Sequence, residues 1–233
     1  MRVSRRLLRA AACATFTFPL LLASPAGAAT GWSVPTCGGT GGRVLLTFDD
    51  WAYGHPTKIL AFARELKERN VGAVFFPVRE FSVAYQRQTG VSLLDKVRAK
   101  GMWVGNHTWS HVNLNTASSS TVRYQIRHGV QGGYLRPPYG AYNDRVRTIA
   151  RDLDHRLCTW TIDTGDWQGY SASRIRTSVR EKSRAGSVVL MHLQTHSYDA
   201  LPGIIRDVRA KGLQLCRPAS GRTKMRIPYP IPC

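Results

Sequence analysis

His107 and His111 are four residues apart, in the run His107-Thr108-Trp109-Ser110-His111. Two imidazoles at this spacing can face the same way on a helical turn and bind one divalent metal ion. The chain has seven histidines, so such a pair also arises without function, with one ring exposed and the other packed. A carboxylate from another part of the chain would complete a two-histidine, one-carboxylate ligand set with open positions for water and substrate.

Asp49 and Asp50 are adjacent carboxylates that directly follow a short apolar run over residues 44–48. Two charges at the end of a buried strand are costly unless a metal ion or an arginine compensates them. One aspartate can therefore bind a metal ion while its neighbour acts as a general base. The alternative is a pair that caps the N-terminus of the following helix.

Four further polar residues, Arg136, Asp163, Asp166 and His192, lie at or just after the ends of later apolar runs. In a β/α barrel the C-terminal ends of the strands form one face, where catalytic residues gather. This shared position is a stronger indication than any single pair of residues. We therefore expect polar residues that are distant in sequence to converge on one site, although Asp163 could equally be a structural cap.

Short apolar runs alternate with segments of helical periodicity along most of the chain. The predicted strands cover residues 44–48, 73–76, 102–104, 134–136, 157–162, 188–191 and 213–215. About seven strand–helix alternations predict an α/β fold with a parallel sheet, either open or closed as a barrel. No linker rich in proline, glycine or serine divides the chain, so we expect a single domain.

The composition is that of a globular protein. Of 233 residues, 43% are hydrophobic and 20% are charged, which excludes a disordered chain, a collagen and a coiled coil. The formal charge of +19 favours polyanionic surroundings such as acidic cell-wall polymers, anionic lipid or nucleic acid.

The N-terminus has the pattern of a secretory signal peptide. Four arginines within the first nine residues precede an apolar run over residues 10–22, and small residues at 26–28 offer a cleavage site. The run is shorter than the roughly 20 residues that span a membrane, and both the general and the twin-arginine export routes fit. Removal of residues 1–28 would leave a secreted protein with no membrane span and, after the loss of four arginines and no acids, a charge of +15. We therefore expect anionic cell-wall polymers rather than nucleic acid as surroundings.

The predicted mature chain has four cysteines, Cys37, Cys158, Cys216 and Cys233. An even number in an exported protein predicts two disulfides. A thiolate metal site is disfavoured, because no two of these cysteines have the spacing of a zinc-binding pair. All three pairings are open.

Five short motifs occur in order along the chain: Thr47-Phe48-Asp49-Asp50, His107 to His111, Arg136-Pro137-Pro138-Tyr139, Asp163-Thr164-Gly165-Asp166-Trp167 and Leu190-Met191-His192. Together they resemble the five motifs of the polysaccharide deacetylases, carbohydrate esterase family four, over residues 43–215. Any one motif is weak, whereas all five in this order are specific. The resemblance implies a distorted β/α barrel, which agrees with the alternation. We place this catalytic domain at residues 43–216, between an N-terminal extension, 29–42, and a C-terminal tail, 217–233.

The resemblance also implies a role for each matching residue in the metal site. Asp50, His107 and His111 would bind the metal ion, which is zinc or another divalent ion such as cobalt. Asp49 would be the general base, and Arg136 would pair with it and orient it.

The remaining implied roles concern the leaving group and the substrate. His192 would be the general acid, oriented and kept charged by Asp166. The backbone N–H of Tyr139 would help to hold the oxyanion, and the rings of Tyr139 and Trp167 would contact substrate. Trp51 departs from the family pattern, which has glycine after the aspartate pair, and its ring could reshape the substrate groove.

We therefore predict a secreted, monomeric, metal-dependent hydrolase that removes acetyl groups from the N-acetylated sugars of a polysaccharide, either a chitin-type or a peptidoglycan glycan. A first alternative is an acetyl ester hydrolase that acts on acetylated xylan. A second is a non-catalytic protein that binds cell-wall glycan.

Overall fold

The structure is a computed structural model that describes residues 35–38, 40–52 and 54–233. Val34–Cys233 form one compact unit. The predicted signal peptide, residues 1–28, and the start of the predicted extension lie outside the described residues. No helix of the described part of the chain combines the length and hydropathy needed to cross a membrane.

Seven strands form within the described residues: β1 (Leu45–Asp49), β2 (Ala73–Phe76), β3 (Trp103–Val104), β4 (Tyr134–Leu135), β5 (Arg156–Leu157), β6 (Ile162–Asp163) and β7 (Val188–His192). One sheet has the order β3-β2-β1-β7-β6, and a second pairs β4 with β5. All of these pairings are parallel. An isolated bridge between Asn106 and Leu135 links the two sheets. The predicted fold, a distorted β/α barrel of about seven strands, is confirmed.

The helices of the described chain are α1 (Lys58–Glu68), α2 (Arg79–Thr89), α3 (Leu93–Ala99), α4 (Ser119–His128), α5 (Asp144–Asp152), α6 (Ala172–Lys182) and α7 (Thr195–Ala210). Helix α2 has no counterpart in the sequence prediction. It buries only Ser82, while Phe81 and Tyr85 are half-buried against the core. It therefore lacks the apolar stripe that identifies a helix from its sequence.

The predicted strand 157–162 is wrong as a single element, because the chain changes neighbours within it. The N–H of Cys158 donates to Leu135 in β4, whereas the N–H of Thr161 donates to Val188 in β7. Between them, the N–H of Thr159 donates to the carbonyl of Pro35. The predicted strand 213–215 is also wrong, since this segment makes only an isolated bridge from Leu215 to Val44.

Side chains of β1 alternate between two apolar cores. Leu46 and Phe48 belong to the core between the sheet and the helices, and Leu45 belongs to the core inside the barrel. Burying each such side chain contributes about 1.5–3 kcal/mol. Because successive side chains point to opposite faces of a strand, Asp49 lies on the face of Leu45 and points into the barrel at its C-terminal end.

The two disulfides pair Cys37 with Cys158 and Cys216 with Cys233, which answers the question that the sequence left open. Residues 217–233 contain no helix or strand. Nevertheless Ile227 is buried in the core inside the barrel, so this segment packs against the barrel.

Candidate active site and metal centre

A cavity of about 330 Å³ opens at the C-terminal ends of the strands. It is lined by Asp49, Asp50, His107, His111, Tyr139, Trp160, Asp163, Trp167, Leu190 and His192. Seven of the ten residues predicted for the site are among these. Two more, Arg136 and Asp166, lie behind the lining and contact it, and only Trp51 lies elsewhere.

Asp50, His107 and His111 place three potential ligand atoms within 4.8 Å of one another. Asp50 Oδ1 lies 3.3 Å from His107 Nε2 and 3.2 Å from His111 Nε2. It is buried and has no hydrogen-bond partner among the described residues. His107 Nδ1 lies 2.7 Å from the carbonyl oxygen of Arg136, which only accepts, so Nδ1 donates its proton there and Nε2 faces Asp50. A buried acceptor facing two imidazole nitrogens fits a divalent cation held by all three groups.

The pKa values of Asp50 and His107 are shifted by their charged neighbours, and the two aspartates make the local field at His107 negative. Burial acts to raise the pKa of Asp50, but the close contacts with the imidazoles of His107 and His111 and the charge of His107 lower it well below the usual range. Burial acts to lower the pKa of His107, but the nearby charge of Asp49 and the contact with Asp50 raise it overall. The same field favours a divalent cation at this position.

Backbone turns with positive φ aim the ligands. Asp50 leaves β1 with φ 66°, while Thr108 and His111 have φ of 68° and 58°. This left-handed conformation is costly outside glycine, so neighbouring contacts must fix it. Asn106 Oδ1 accepts the N–H of Thr108 at 2.8 Å, and Thr108 Oγ1 accepts the N–H of His111 at 3.0 Å. The two histidines therefore face one cavity from a tight turn rather than from an α-helix.

Asp49 and Arg136 form a fully buried ion pair beside the three ligands. Arg136 Nη1 donates to Asp49 Oδ1 at 2.8 Å and to Thr47 Oγ1 at 2.7 Å. Its Nε donates to the carbonyl of Cys158 at 3.0 Å, and its Nη2 donates to that of Thr159 at 3.2 Å. Burial lowers the pKa of Arg136, and the charge of Asp49 offsets part of that effect. With Oδ1 held by the guanidinium, Oδ2 of Asp49 is left facing the cavity, 3.8 Å from His107 Nε2.

His192 and Asp166 form a second pair beside the ligands, and His192 is the register neighbour of Asp49 on the adjacent strand. His192 Nδ1 donates to Asp166 Oδ1 at 2.8 Å, and the backbone N–H of His192 donates to Oδ2 at 2.6 Å. Burial acts to lower the pKa of His192, but the hydrogen bond and charge of Asp166 raise it to about 9. The other ring nitrogen of His192, Nε2, faces the cavity and lies 4.0 Å from Asp50 Oδ2. This histidine can therefore hold a proton at the cavity wall.

Aromatic side chains form much of the cavity mouth. Tyr139 is 69% exposed and Trp167 is 58% exposed. The ring of Tyr139 lies edge-on to His111, with centroids 4.8 Å apart, and Tyr139 adopts φ 60°. Trp160 also lines the cavity. Exposed rings of this size at a cavity mouth offer apolar faces to a ligand.

Trp51 does not line the cavity. Its side chain is only 6% exposed and belongs to the core between the sheet and the helices. The left-handed turn at Asp50 separates Trp51 from the cavity-lining aspartates, and burial of the large indole is favourable. The prediction that this ring reshapes the substrate groove is corrected accordingly.

Trp160 and Leu190 line the cavity although the sequence gave them no role in the site, and Asp163, for which the sequence left two roles open, lines it as well. Asp163 Oδ1 accepts the N–H of Gly165 at 2.8 Å, which is the structural cap that the sequence allowed. Trp160 and Leu190 are apolar residues in or near strands, and nothing in their type distinguishes them from core residues. Their positions near strand ends were the one available signal.

Comparison with known proteins agrees with this geometry. Residues 38–158 match the model of the polysaccharide deacetylase family. The peptidoglycan-N-acetylglucosamine deacetylase of Bacillus cereus is 34% identical over 186 residues, which cover 73% of this chain and 64% of that protein. This chain therefore spans slightly less than two thirds of that relative.

Two solved structures share the fold. A family 4 carbohydrate esterase from Streptomyces lividans, in complex with acetate, aligns with a TM-score of 0.67 and 26% identity, covering 79% of this chain and 97% of that one. A pseudoenzyme of carbohydrate esterase family 4 from Bacillus anthracis aligns with the same TM-score and identity, covering 75% of this chain and 63% of that one. With the family match spanning half of the sequence and the motif residues meeting in one cavity, the chain belongs to the polysaccharide deacetylase family.

Proposed function

We propose that this protein is a secreted, metal-dependent deacetylase that removes acetyl groups from the N-acetylated sugars of a cell-wall glycan, with peptidoglycan as its leading substrate. The observation that carries the proposal is the shared cavity. In it, an Asp/His/His ligand set lies beside a buried aspartate–arginine pair and a histidine–aspartate pair. A simple glycan-binding site would need neither pair.

Asp50, His107 and His111 would hold the metal ion. Zinc suits two imidazoles and a carboxylate, and cobalt is accepted by similar donors. When bound, such an ion polarises the acetyl carbonyl and lowers the pKa of water. Three protein ligands leave coordination positions open, as catalytic sites require.

Asp49 would act as the general base. Its Oδ1 is held by Arg136 at 2.8 Å, which leaves Oδ2 toward the cavity to accept a proton from the attacking water. The guanidinium holds the carboxylate in a fixed orientation, and both groups are almost completely buried. Arg136 therefore acts through Asp49 rather than on the substrate.

The backbone N–H of Tyr139 would stabilise the oxyanion. Attack converts the planar acetyl carbonyl into a tetrahedral centre with negative charge on its oxygen. A fixed N–H donor beside that oxygen is worth more in the transition state than in the ground state. The left-handed turn at Tyr139 would aim this donor.

His192 would act as the general acid. Its protonated Nε2 would donate to the departing amine nitrogen, so that the C–N bond breaks to give acetate and a free amino sugar. Asp166 keeps the ring charged and determines which nitrogen faces the cavity. The two proton-transfer groups, Asp49 and His192, thus both lie within 4.0 Å of a ligand residue.

Two features support the proposed substrate: the aromatic rings at the cavity mouth and the names of the similar proteins. The exposed rings of Tyr139 and Trp167 would pack against sugar rings on either side of the reacting unit. The name of the Bacillus cereus relative favours N-acetylglucosamine in peptidoglycan. Hydrolysis of an acetyl ester, such as that of acetylated xylan, would use the same residues. Because the similar protein from Streptomyces lividans is named a carbohydrate esterase, the test below includes an ester substrate.

Export is proposed from independent features. The N-terminal residues have the pattern of a signal peptide, and the described part of the chain contains two disulfides, which are typical of exported proteins. The charge of +15 that would follow cleavage suits acidic polymers of a cell wall.

The test is acetate release by the metal-loaded protein from peptidoglycan, chitin oligomers and acetylated xylan, before and after chelation and with zinc or cobalt restored. We expect release from an N-acetylated glycan that chelation abolishes and metal restores. The matched control is Asp49→Asn, which keeps the shape of the side chain and removes the base. A protein that binds metal yet releases no acetate from any substrate would refute the proposal in favour of a non-catalytic protein, such as the Bacillus anthracis pseudoenzyme.

A further inference from the structure

The first turn of α7 holds Asp166 from behind the cavity. Ser197 is fully buried, and its Oγ lies 2.5 Å from Asp166 Oδ2. An ionised carboxylate only accepts, so the hydroxyl donates. His196 Nε2 lies 2.9 Å from the backbone carbonyl of Asp166 and donates to it. Helix α7 therefore contacts both the side chain and the main chain of Asp166.

These contacts divide the two oxygens of Asp166 between different tasks. Oδ1 accepts from His192 Nδ1 at 2.8 Å, while Oδ2 accepts from the backbone N–H of His192 and from Ser197. Asp166 is 1% exposed, so water is not at hand to replace a lost donor. Without the hydroxyl, Oδ2 would keep one donor and the carboxylate could rotate about its side-chain bond.

We propose that Ser197 is a positioning residue for the general acid: its hydroxyl fixes the Asp166 carboxylate and thereby the direction in which His192 Nε2 faces the cavity. Ser197 is neither one of the three potential metal ligands nor one of the residues that line the cavity. The inference rests on the proposed function only in assigning proton donation to His192. It adds a residue outside the five motifs to the set on which turnover depends.

A positioning role differs from a structural one in its dependence on the leaving group. An amine or an alkoxide needs a proton as it departs, whereas 4-nitrophenolate departs as a stable anion. Loss of the Ser197 hydroxyl should therefore slow amide and alkyl ester hydrolysis and leave 4-nitrophenyl acetate hydrolysis nearly unchanged. A general loosening of α7 would slow all substrates together.

The experiment compares Ser197→Ala, Ser197→Thr and Ser197→Val in the full-length, metal-loaded protein. Threonine and valine have nearly the same shape, so the difference between them reports the hydroxyl even if added bulk perturbs packing. For the N-acetylated glycan, we expect kcat to fall roughly tenfold with alanine and valine, as for other residues that orient a catalytic group, with KM unchanged. Threonine should restore most of kcat.

The matched control is Ser92→Ala, which removes the N-cap of α3 at a residue that does not line the cavity. It should lower the melting temperature without changing the ratio of glycan to 4-nitrophenyl acetate activity. Equal losses on both substrates, or threonine and valine variants with the same kcat, would overturn the inference. If the wild-type protein acts on no glycan, the proposed function fails, while comparison of 4-nitrophenyl acetate with an alkyl acetate still tests the role of Ser197.

Discussion

Replacing Arg136 with methionine should destabilise the protein strongly and abolish turnover. Methionine is flexible, apolar and long enough to fill much of the space between the rings of Phe76 and Trp160, which lie 4.3 and 5.7 Å from the guanidinium carbon. The substitution removes the partner of Asp49, whose carboxylate is 3% exposed and cannot recover hydration. The charge is then buried without compensation.

The size of the effect follows from this burial. Breaking a buried ion pair by removing one partner costs about 3–5 kcal/mol. In a domain of this size, each kcal/mol shifts the melting temperature by about 2–4 °C, so Arg136→Met should melt roughly 6–20 °C lower. Part of this loss comes from the hydrogen bonds of Arg136 to the carbonyls of Cys158 and Thr159, which no side chain would replace.

A double-mutant cycle separates the two contributions. Arg136→Met, Asp49→Asn and the double variant are unfolded by denaturant with disulfides intact and chelator present, so that metal binding does not contribute. The hydrogen bonds to the two carbonyls are lost both in Arg136→Met and in the double variant, so their contribution cancels. We expect the remaining coupling energy between Asp49 and Arg136 to be about 2 kcal/mol or more. Additive effects, or an Arg136→Met protein that melts like the wild type, would contradict a stabilising buried pair.

Four further outcomes are expected. Asp49→Asn should lower kcat by about 10²–10⁴-fold with little change in KM, because the carboxylate acts in the transition state; near-normal turnover would remove Asp49 as the base. His107→Ala should lower the metal content after dialysis, as measured by elemental analysis. In the presence of chelator, its melting temperature should change far less than that of Arg136→Met. Full metal occupancy would show that the ion is held elsewhere. Trp167→Ala should raise KM for glycan while changing stability by no more than about 0.5 kcal/mol, since the ring is exposed. Trp51→Ala should instead cost about 3–5 kcal/mol of stability, and the opposite pattern for the two tryptophans would reverse their assignment to cavity and core.

The barrel was predictable because its strands are short runs of apolar residues that stand out against polar segments. Strands β1 and β7 are buried along nearly their whole length, so their apolar runs are almost continuous. Helix α2 escaped prediction because only Ser82 of its side chains is fully buried, which leaves no apolar stripe to detect. The run 157–162 was instead predicted as one strand, because an unbroken series of residues that favour strands does not reveal that its two ends pair with different strands.

The sequence by itself determined which groups could do chemistry here: the types of Asp49, Asp50, His107, His111 and His192, and their places at the ends of apolar runs. Only the tertiary structure decided how these groups face one another. Strands paired in register bring residues from distant parts of the chain to one end of the barrel, and left-handed turns then aim single side chains. The same packing assigned Trp51 to the core and Ser197 to the back of the acid pair. Neither outcome follows from residue type, because burial and orientation are properties of the packed chain and depend on contacts between segments far apart in sequence.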